Sequence, residues 1–294
     1  MTLFFQLLIN GLLVGILYAL ISLGFVVIVK GSGVINFAQG ELILLGGFLV
    51  AWLAGSVGVP IWLAIPGAAA AMAVIGAVIE RVALRPLANE PVLSLVMATI
   101  AVGLIIGGVV PALFGETTRS LPKLFPEQPL NLHGVLIKPV TLWSAVIAIV
   151  FMAVFGIFFK RSRIGLAMQA VSDDRVAAQA LGVDIRRVNA AAWAISGAIA
   201  AFAGFVWGTL LGVDLGLVAI GVVIFPVVIL GGLESILGAL LAGVVVGVTE
   251  NLSGGYLDPR VGGGFSQITP LLLLLVVLMV RPYGLFGRER IERV

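Results

Sequence analysis

The sequence has no cysteine and a single histidine, His133, among 294 residues. The absence of cysteine excludes disulfide bonds, thiol catalysis and thiolate metal sites. Charged residues are also scarce, at 11% of the chain, whereas a soluble domain carries roughly 25%. His133 lies in the most polar loop, where we expect a solvated side chain. Few groups therefore remain from which a catalytic or metal site could be built.

Apolar residues dominate instead, at 61% of the chain with a mean hydropathy of +1.22. A water-exposed surface cannot be made from this inventory, so the sequence predicts an integral membrane protein. The formal net charge of +3 does not indicate nucleic-acid binding, because in such a chain the position of each charge relative to the bilayer matters most. The apolar stretch Leu3–Val29 is too long for a cleaved signal and predicts a retained span.

Uncharged runs recur along the chain at the length of a membrane helix, which needs about 20 apolar residues. They are Met1–Val29, Leu42–Ile79, Pro91–Gly115, Pro139–Phe159, Val188–Val213, Leu215–Leu233 and Val261–Val280. The second run is long enough for two helices that turn at Ala54–Pro60, and a shorter run, Ser235–Thr249, follows Glu234. We predict an all-α polytopic bundle, one transmembrane domain over residues 1–294 with eight or nine spans. Helices interrupted by glycine or proline can also be re-entrant.

The basic residues indicate which ends of the spans face the cytoplasm. Thirteen of the seventeen Lys and Arg residues belong to the segments 160–187 and 281–294 or are Lys30, Arg81 and Arg85. The positive-inside rule places these segments in the cytoplasm. With nine spans they all fall on one side, which predicts an external N-terminus, a cytoplasmic tail at 281–294 and an external loop Glu116–Lys138.

Glycine is abundant, with 38 residues, and small residues let membrane helices approach closely. The stretch Gly238–Gly247 places small residues on one helix face. Two interpretations follow from this face: a tight contact between helices, or a glycine-lined conduit.

The segment 160–187 is charged and lies between two very apolar runs. Ser172, followed by Asp173 and Asp174, predicts a helix start with a capping hydroxyl and acidic first turn. Gly182 predicts the end of that helix, and a second short helix is expected over Gly165–Val171. The first helix would carry a small apolar face made of Val176, Ala177, Ala180 and Leu181. This face is too small to hold the segment together in water, so it requires a partner protein or the membrane surface.

Polar residues inside the apolar runs are candidates for function, because they are costly in a bilayer. Asn36, Gln39 and Glu41 fall within two turns of a predicted helix start. They indicate either a capping and packing cluster or part of a pathway for a polar solute, whose charged groups neutral amides can bind.

The remaining acidic residues show no pattern of acid–base catalysis. Glu80 precedes Arg81 at a span end and predicts an interfacial ion pair, and Asp214 predicts an outer turn. Glu234 and Glu250 flank the short run between them and are expected near an interface. Serines have no nearby histidine base, so a hydrolase triad is unsupported and no catalytic residue is predicted.

Four stretches together resemble the permease subunits of branched-chain amino acid ABC importers, and more closely the shorter of the two permeases. They are "YALISLGFVVIVKGSGVINFAQGELILLGGF" (Tyr18–Phe48), "GLAMQAVSDDRVAAQALGVDIRRV" (Gly165–Val188), "ILGGLESILGALLAGVVVGVTE" (Ile229–Glu250) and "VRPYGLFG" (Val280–Gly287). They occur in the family's order over nearly the whole chain. Two positions depart from the family's pattern and are candidates for tuning the substrate: Gln39, where histidine is frequent, and Glu234, where a small residue is frequent.

The resemblance implies that the charged loop carries the coupling helix, which a partner ATPase moves. The matching positions are Gly165, Ala170, Asp173, Asp174, Arg175, Ala177, Ala178 and Gly182. It also implies a second permease, related or identical, two cytoplasmic ATPases and a solute-binding protein outside a bacterial plasma (inner) membrane. The chain lacks a Gly-x-x-x-x-Gly-Lys-Ser/Thr loop, so the nucleotide belongs to the partner. No cofactor or metal is expected on this chain.

The leading hypothesis is a permease subunit of an ATP-driven importer of small polar solutes, with branched-chain or hydrophobic amino acids as the expected substrates. The same machinery carrying urea or short amides is one alternative. A stand-alone transporter driven by protons or sodium, using Glu41 or Glu234, is another, although it would not need the docking helix. An intramembrane enzyme is disfavoured because converging catalytic groups are missing.

Overall fold

The computed structural model describes residues 2–126, 128–132, 134–281 and 284–287. Within these ranges the chain forms twelve α-helices and one β-hairpin. The helices are α1 (Thr2–Ser32), α2 (Gln39–Ala51), α3 (Ile61–Ile79), α4 (Val92–Phe114), α5 (Pro139–Arg161), α6 (Arg163–Asp173), α7 (Arg175–Ala180), α8 (Ile185–Leu211), α9 (Leu217–Gly231), α10 (Ile236–Tyr256), α11 (Asp258–Val261) and α12 (Phe265–Val280), and the strands are β1 (Leu130–Leu132) and β2 (Val135–Ile137). His133 and residues 288–294 of the predicted tail lie outside the described residues.

The helices confirm the predicted polytopic bundle. Seven of the described helices are long and apolar enough to cross a membrane: α1, α2 with its extension to Ser56, α3 with its extension to Leu87, α4, α5, α8 and α10. The helices α9 and α12 are apolar but shorter, with 15 and 16 residues. At 1.5 Å per residue they reach about 23 Å, short of the roughly 30 Å hydrocarbon core. The long run Leu42–Ile79 divides into α2 and α3, with the turn inside Ala54–Pro60 as predicted.

Helix α10 differs from the predicted run, because it continues seven residues beyond Thr249 to Tyr256. Glu250 is therefore inside the helix rather than at its end. The Tyr18 hydroxyl donates a hydrogen bond to the Glu250 carboxyl, while Glu250 Oε2 has no hydrogen-bond partner among the described residues. Asp214 lies in a turn between α8 and α9, as predicted, and Glu234 lies in the turn between α9 and α10.

The chain divides into two compact units. The first comprises Met1–Val26, Phe125–Ala148 and Val223–Val294, and the second comprises Val27–Leu124 and Ile149–Val222. Helices α1, α5 and α9 contribute residues to both units, so neither unit is a contiguous stretch of sequence.

The first unit is held together by close contact between α1 and α10. A Cβ atom placed on Gly11 would lie 2.7 Å from the Val248 Cα, which is closer than real Cβ atoms approach. Gly243 meets α1 in the same way, with a hypothetical Cβ 2.8 Å from the Gly15 carbonyl oxygen. The small-residue face of Gly238–Gly247 is therefore a contact between helices, the first of its two predicted interpretations.

The second unit is built on α2, α3 and α8, which also meet through small residues. Gly46 of α2 lies against Ala201, with a hypothetical Cβ 2.5 Å from the Ala201 Cα, while Gly76 of α3 lies against the Trp193 carbonyl. Trp193 and Phe48 are among the largest side chains that this packing buries completely. Because backbones touch directly, α3 and α8 leave little space to slide independently.

Candidate functional site

Two short helices, α6 and α7, fill the charged segment between the long helices α5 and α8. Helix α6 begins at Arg163, where the Ser162 hydroxyl accepts a hydrogen bond from the Gly165 amide at 3.0 Å. It ends at Asp173, two residues later than the Gly165–Val171 helix predicted from sequence.

The cap of α7 is Asp174, and the prediction that Ser172 caps it is wrong. One carboxylate oxygen of Asp174 accepts hydrogen bonds from the amides of Val176 and Ala177, both at 2.9 Å. The Asp174 backbone is extended, at φ −155° and ψ 108°, which separates the two helices. Ser172 instead lies inside the last turn of α6. A carboxylate that satisfies two free amides at a helix start stabilises it more than a hydroxyl two residues before the cap position.

The end of α7 confirms the predicted stop at Gly182. This glycine has a φ of +87°, and its amide donates to the Gln179 carbonyl at 3.0 Å. Residues with side chains rarely adopt this backbone conformation. Asp184 then caps α8 by accepting from the amides of Arg186 and Arg187 at 3.0 and 3.3 Å. Three side-chain caps and one glycine therefore define the shape of the segment.

The predicted apolar face of α7 points away from the rest of the chain. Val176 is 79% exposed and Leu181 is 85% exposed, and Ala177 and Ala180 are also exposed. Ala178, on the other side, is buried. Exposed apolar residues on a segment outside the candidate spans are typical of an interaction surface.

The other residues of the predicted coupling set take different positions on the same segment. Gly165 is buried against the backbone of Phe159, where a side chain would not fit. Ala170 is half-buried on α6, Asp173 ends α6 and is exposed, and Arg175 is the first residue of α7. Within the set, Gly165 and Ala178 are buried and Ala170 is half-buried, while the others are exposed.

Asn36 and Gln39 come together at the start of α2, as the sequence predicted. The Asn36 amide nitrogen donates to Gln39 Oε1 at 3.0 Å, and Asn36 Oδ1 accepts from the Ala38 amide at 3.0 Å. Both side chains are buried. Gln39 Nε2 has no hydrogen-bond partner among the described residues. The pair stabilises the start of α2 and leaves one buried donor available.

Glu41 is not part of this pair. Its carboxyl group lies beside α4, where a Cβ placed on Gly103 would be 3.3 Å from the Glu41 Cδ. Because Gly103 has no side chain, the half-buried carboxylate can lie against the helix backbone. The three predicted pathway residues therefore form one hydrogen-bonded pair and one separate carboxylate.

Two hydroxyl residues complete the polar cluster and were missed by sequence analysis. Ser196 of α8 donates to Gln39 Oε1 at 3.3 Å, and Thr99 of α4 accepts from the Phe37 amide at 3.2 Å. Each is a single hydroxyl within an apolar run. No local signal distinguishes such a residue from one that bonds its own helix.

Glu80 pairs with Arg85, and the prediction of a Glu80–Arg81 pair is wrong. The Arg85 guanidinium donates to both carboxylate oxygens, at 2.7 and 3.3 Å, and Glu80 is only 2% exposed. The reason is a wider, π-helical turn over Glu80–Leu84 that extends α3. Such a turn aligns residues i and i+5, whereas neighbours at i and i+1 point in different directions.

No group of three or more His, Cys, Asp or Glu side chains that could hold a metal ion occurs in the part of the chain that the structure describes. The fold and the exposed helical segment together define a polytopic membrane protein with an uncovered surface between two of its spans.

The chain belongs to the family described as "Branched-chain amino acid transport system / permease component", whose sequence profile matches residues 7–280. It is 33% identical over 306 residues to the high-affinity branched-chain amino acid transport system permease protein LivH of Escherichia coli (strain K12), and the match covers 99% of this chain and 98% of LivH. It is 31% identical over 309 residues to BraD of Pseudomonas aeruginosa, with the same coverage. It is 27% identical to the permease LivM of E. coli, over 93% of this chain and 68% of LivM. The chain is thus a transport component of the membrane, not an enzyme.

Proposed function

We propose that this chain is one of two permease subunits of an ATP-driven importer of branched-chain amino acids. Its resemblance in sequence to LivH and BraD, across almost the full length of each, supports this substrate class. The observation that carries the coupling part of the proposal is the capped α6–α7 segment, whose apolar residues Val176 and Leu181 are not covered by the chain itself.

In this proposal the α6–α7 segment is the contact with a cytoplasmic ATPase. Its exposed face combines apolar side chains with Asp173, Asp174 and Arg175, so a groove with both apolar and charged walls would match it. The two caps and Gly182 keep the segment in one shape. When the ATPases bind and hydrolyse ATP, a segment held in one shape would pass their movement to the adjoining spans. Disordered chain could not do so.

Asn36, Gln39 and Glu41 are the proposed contacts for the solute. The buried Gln39 Nε2 is a donor without a protein partner among the described residues, and the buried Oε1 already accepts two hydrogen bonds. A solute carboxylate would pair with the free donor, while the half-buried Glu41 carboxylate would attract an ammonium group. Such a pair of contacts suits a zwitterion in an environment of low dielectric constant.

The proposed assembly contains a second permease, two cytoplasmic ATPases and an extracellular solute-binding protein in a bacterial inner membrane. The second permease would be a related chain or a copy of this one, and similarity to both LivH and LivM favours a related chain. The concentration of Lys and Arg in the segments 160–187 and 281–294 supports a cytoplasmic position for both and an external N-terminus.

The proposal is tested by solute uptake into vesicles that contain this chain with its neighbouring gene products. Uptake is measured with and without ATP and binding protein, and leucine, valine, urea and short amides compete in parallel samples. We expect uptake that requires ATP and binding protein and is blocked by leucine and valine. A second measurement asks whether an ATPase co-elutes with the purified chain, as the proposed α6–α7 contact requires.

Two other outcomes would contradict parts of the proposal. ATP-dependent uptake that only urea or amides block would retain the mechanism and replace the substrate. Uptake by this chain alone, driven by a proton or sodium gradient, would replace the mechanism and remove the need for the α6–α7 contact.

A further inference from the structure

The Glu80–Arg85 ion pair lies where the extended end of α3 meets the charged segment. The shortest of its hydrogen bonds joins Arg85 Nη2 to Glu80 Oε2 at 2.7 Å. The side chain of Glu80 is 3% exposed and that of Arg85 is 32% exposed. A carboxylate this deeply buried is tolerated only with a counter-charge, and removing one partner leaves the other uncompensated. The pair therefore imposes a strict local geometry on the end of α3.

A small cavity of about 30 Å³ connects this pair to the first residue of α7. Its lining includes Ser32, Glu80, Arg85, Arg175, Asn189 and Trp193. The volume is sufficient for one or two water molecules. Arg175 of α7 and both members of the ion pair thus face the same small space, so a shift of α7 changes the electrostatic surroundings of the pair.

Arg85 also interacts electrostatically with Asp184. Asp184 caps α8 and forms an ion pair with Arg187 at 3.0 Å. Arg175 begins α7 and lines the cavity beside the ion pair, and Asp184 follows the end of α7 and interacts electrostatically with Arg85, so both ends of the segment from 175 to 184 lie near the Glu80–Arg85 pair. Glu80 is the only acidic residue among the described residues that line the cavity.

The same region is attached firmly to the packed helices. With its side-chain amide oriented so that the nitrogen faces these acceptors, Asn189 donates to the carbonyls of Gly31 and Ile185, at 3.1 and 3.2 Å. One turn further along α8, the Trp193 carbonyl lies against Gly76 of α3. A displacement of the ion pair therefore reaches the α3–α8 contact within a few residues, where the backbones have no room to absorb it.

We propose that Glu80 and Arg85 are positioning residues that transmit movement of the α6–α7 segment to the α3 and α8 spans. The inference rests on the proposed function, because it assigns the pair a role in energy coupling. With the pair intact, Arg175 faces a neutral ion pair. Without the Glu80 charge it faces the uncompensated guanidinium of Arg85, and the repulsion separates the start of α7 from α3.

The test uses the complete reconstituted importer and measures solute uptake and ATP hydrolysis per assembled complex. The variants are Glu80→Gln, Arg85→Lys and the double variant Glu80→Gln/Arg85→Gln. The control is Glu90→Gln, which changes an exposed carboxylate in the segment that connects α3 to α4. We expect the number of solute molecules imported per ATP to fall about tenfold in Glu80→Gln. Arg85→Lys should lose part of the coupling, because lysine lacks the fork that binds both oxygens. Glu90→Gln should match the wild type.

The double variant separates coupling from folding. Removing both charges leaves no uncompensated ion, so this variant should assemble even if the single variants do not. We expect it to hydrolyse ATP and to import poorly, because the two hydrogen bonds by which Arg85 and Glu80 fix the end of α3 are lost although no charge is left uncompensated. The inference is overturned if the double variant keeps the wild-type ratio of uptake to hydrolysis, or if both activities fall in parallel, as a structural role requires. A wild-type complex without ATP-dependent uptake would overturn the proposed function first, and this inference with it.

Discussion

Gly15 of α1 lies directly against Val244 of α10, and a Cβ atom at Gly15 would be 2.6 Å from the Val244 Cα. The atom it would meet belongs to the backbone, so no side-chain rotation relieves the contact. In a bilayer the hydrophobic effect does not drive helices together, because the lipid tails are as apolar as the side chains. Helices therefore associate through close packing of this kind. The contact therefore contributes directly to the stability of the first unit.

Replacing Gly15 with alanine should destabilise the protein, although alanine favours helices by about 1 kcal/mol over glycine. We expect a net loss of about 1–3 kcal/mol, typical of overpacked contacts, seen as a lower thermal midpoint in detergent. The matched control is Gly107→Ala in α4, where a Cβ would meet nothing within 4 Å. An equal or higher midpoint in Gly15→Ala than in Gly107→Ala would contradict the importance of the contact.

The Asp174 cap makes a second prediction. Asp174→Ala removes the acceptor of the Val176 and Ala177 amides and should destabilise α7 by about 1 kcal/mol, whereas Asp174→Asn keeps a capping oxygen. Hydrogen exchange over residues 175–181 measures the effect. We expect faster exchange in the alanine variant and nearly unchanged exchange in the asparagine variant. Equal protection in both variants would show that the cap does not determine the order of this segment.

Substitutions in the proposed coupling segment should separate insertion from transport. Gly182→Val forces a β-branched residue into a φ of +87°, and Ala177→Asp adds a charge to an exposed position of α7. Both variants should insert in the membrane and fail to import. Gly182→Asn is the matched control, because asparagine tolerates this conformation better than other residues with a side chain. Normal uptake in both Gly182→Val and Ala177→Asp would count against the coupling assignment.

Much of the fold is predictable because it depends on local features. The length of an apolar run, the turn within Ala54–Pro60 and the stop at Gly182 each depend on the chemistry of neighbouring residues. The association of Asn36 with Gln39 is local for the same reason, since three residues separate them.

The features that sequence analysis missed depend on long-range contacts or on an unusual turn. Ser196 reaches Gln39 across 157 residues, which no local pattern reveals. Glu250 lies inside α10 and receives a hydrogen bond from Tyr18, which is far away in the chain. The Glu80–Arg85 pair depends on the π-helical turn over Glu80–Leu84, and ordinary α-helical spacing does not predict a contact between these two residues.

The Asp258–Ser266 contact between α11 and α12 predicts a pH dependence. Ser266 donates through its hydroxyl at 2.7 Å and its amide at 2.8 Å, and these bonds lower the pKa of the Asp258 carboxyl. A lowered pKa in the folded state means that the contact stabilises the protein above the unfolded pKa of about 4, and that this contribution is lost as the pH falls through the folded value. The thermal midpoint of Ser266→Ala should lie below that of the wild type at pH 7, and the gap should close in acid. A gap independent of pH would indicate a different role.

Variants of Gln39 and of its partner Ser196 test whether the buried polar cluster only stabilises the fold or also binds the solute. Ser196→Ala removes one hydrogen bond to Gln39 Oε1 and leaves Nε2 unchanged, so it should lower stability without altering the affinity for solute. Gln39→Leu removes the free donor as well. If that donor binds the solute, the KM for leucine uptake should rise about tenfold, which corresponds to roughly 1.4 kcal/mol. Because both variants weaken the same packing, a KM change confined to Gln39→Leu would identify the donor as the relevant group. A KM that stays constant in both, while the thermal midpoint falls, would assign the cluster to packing alone.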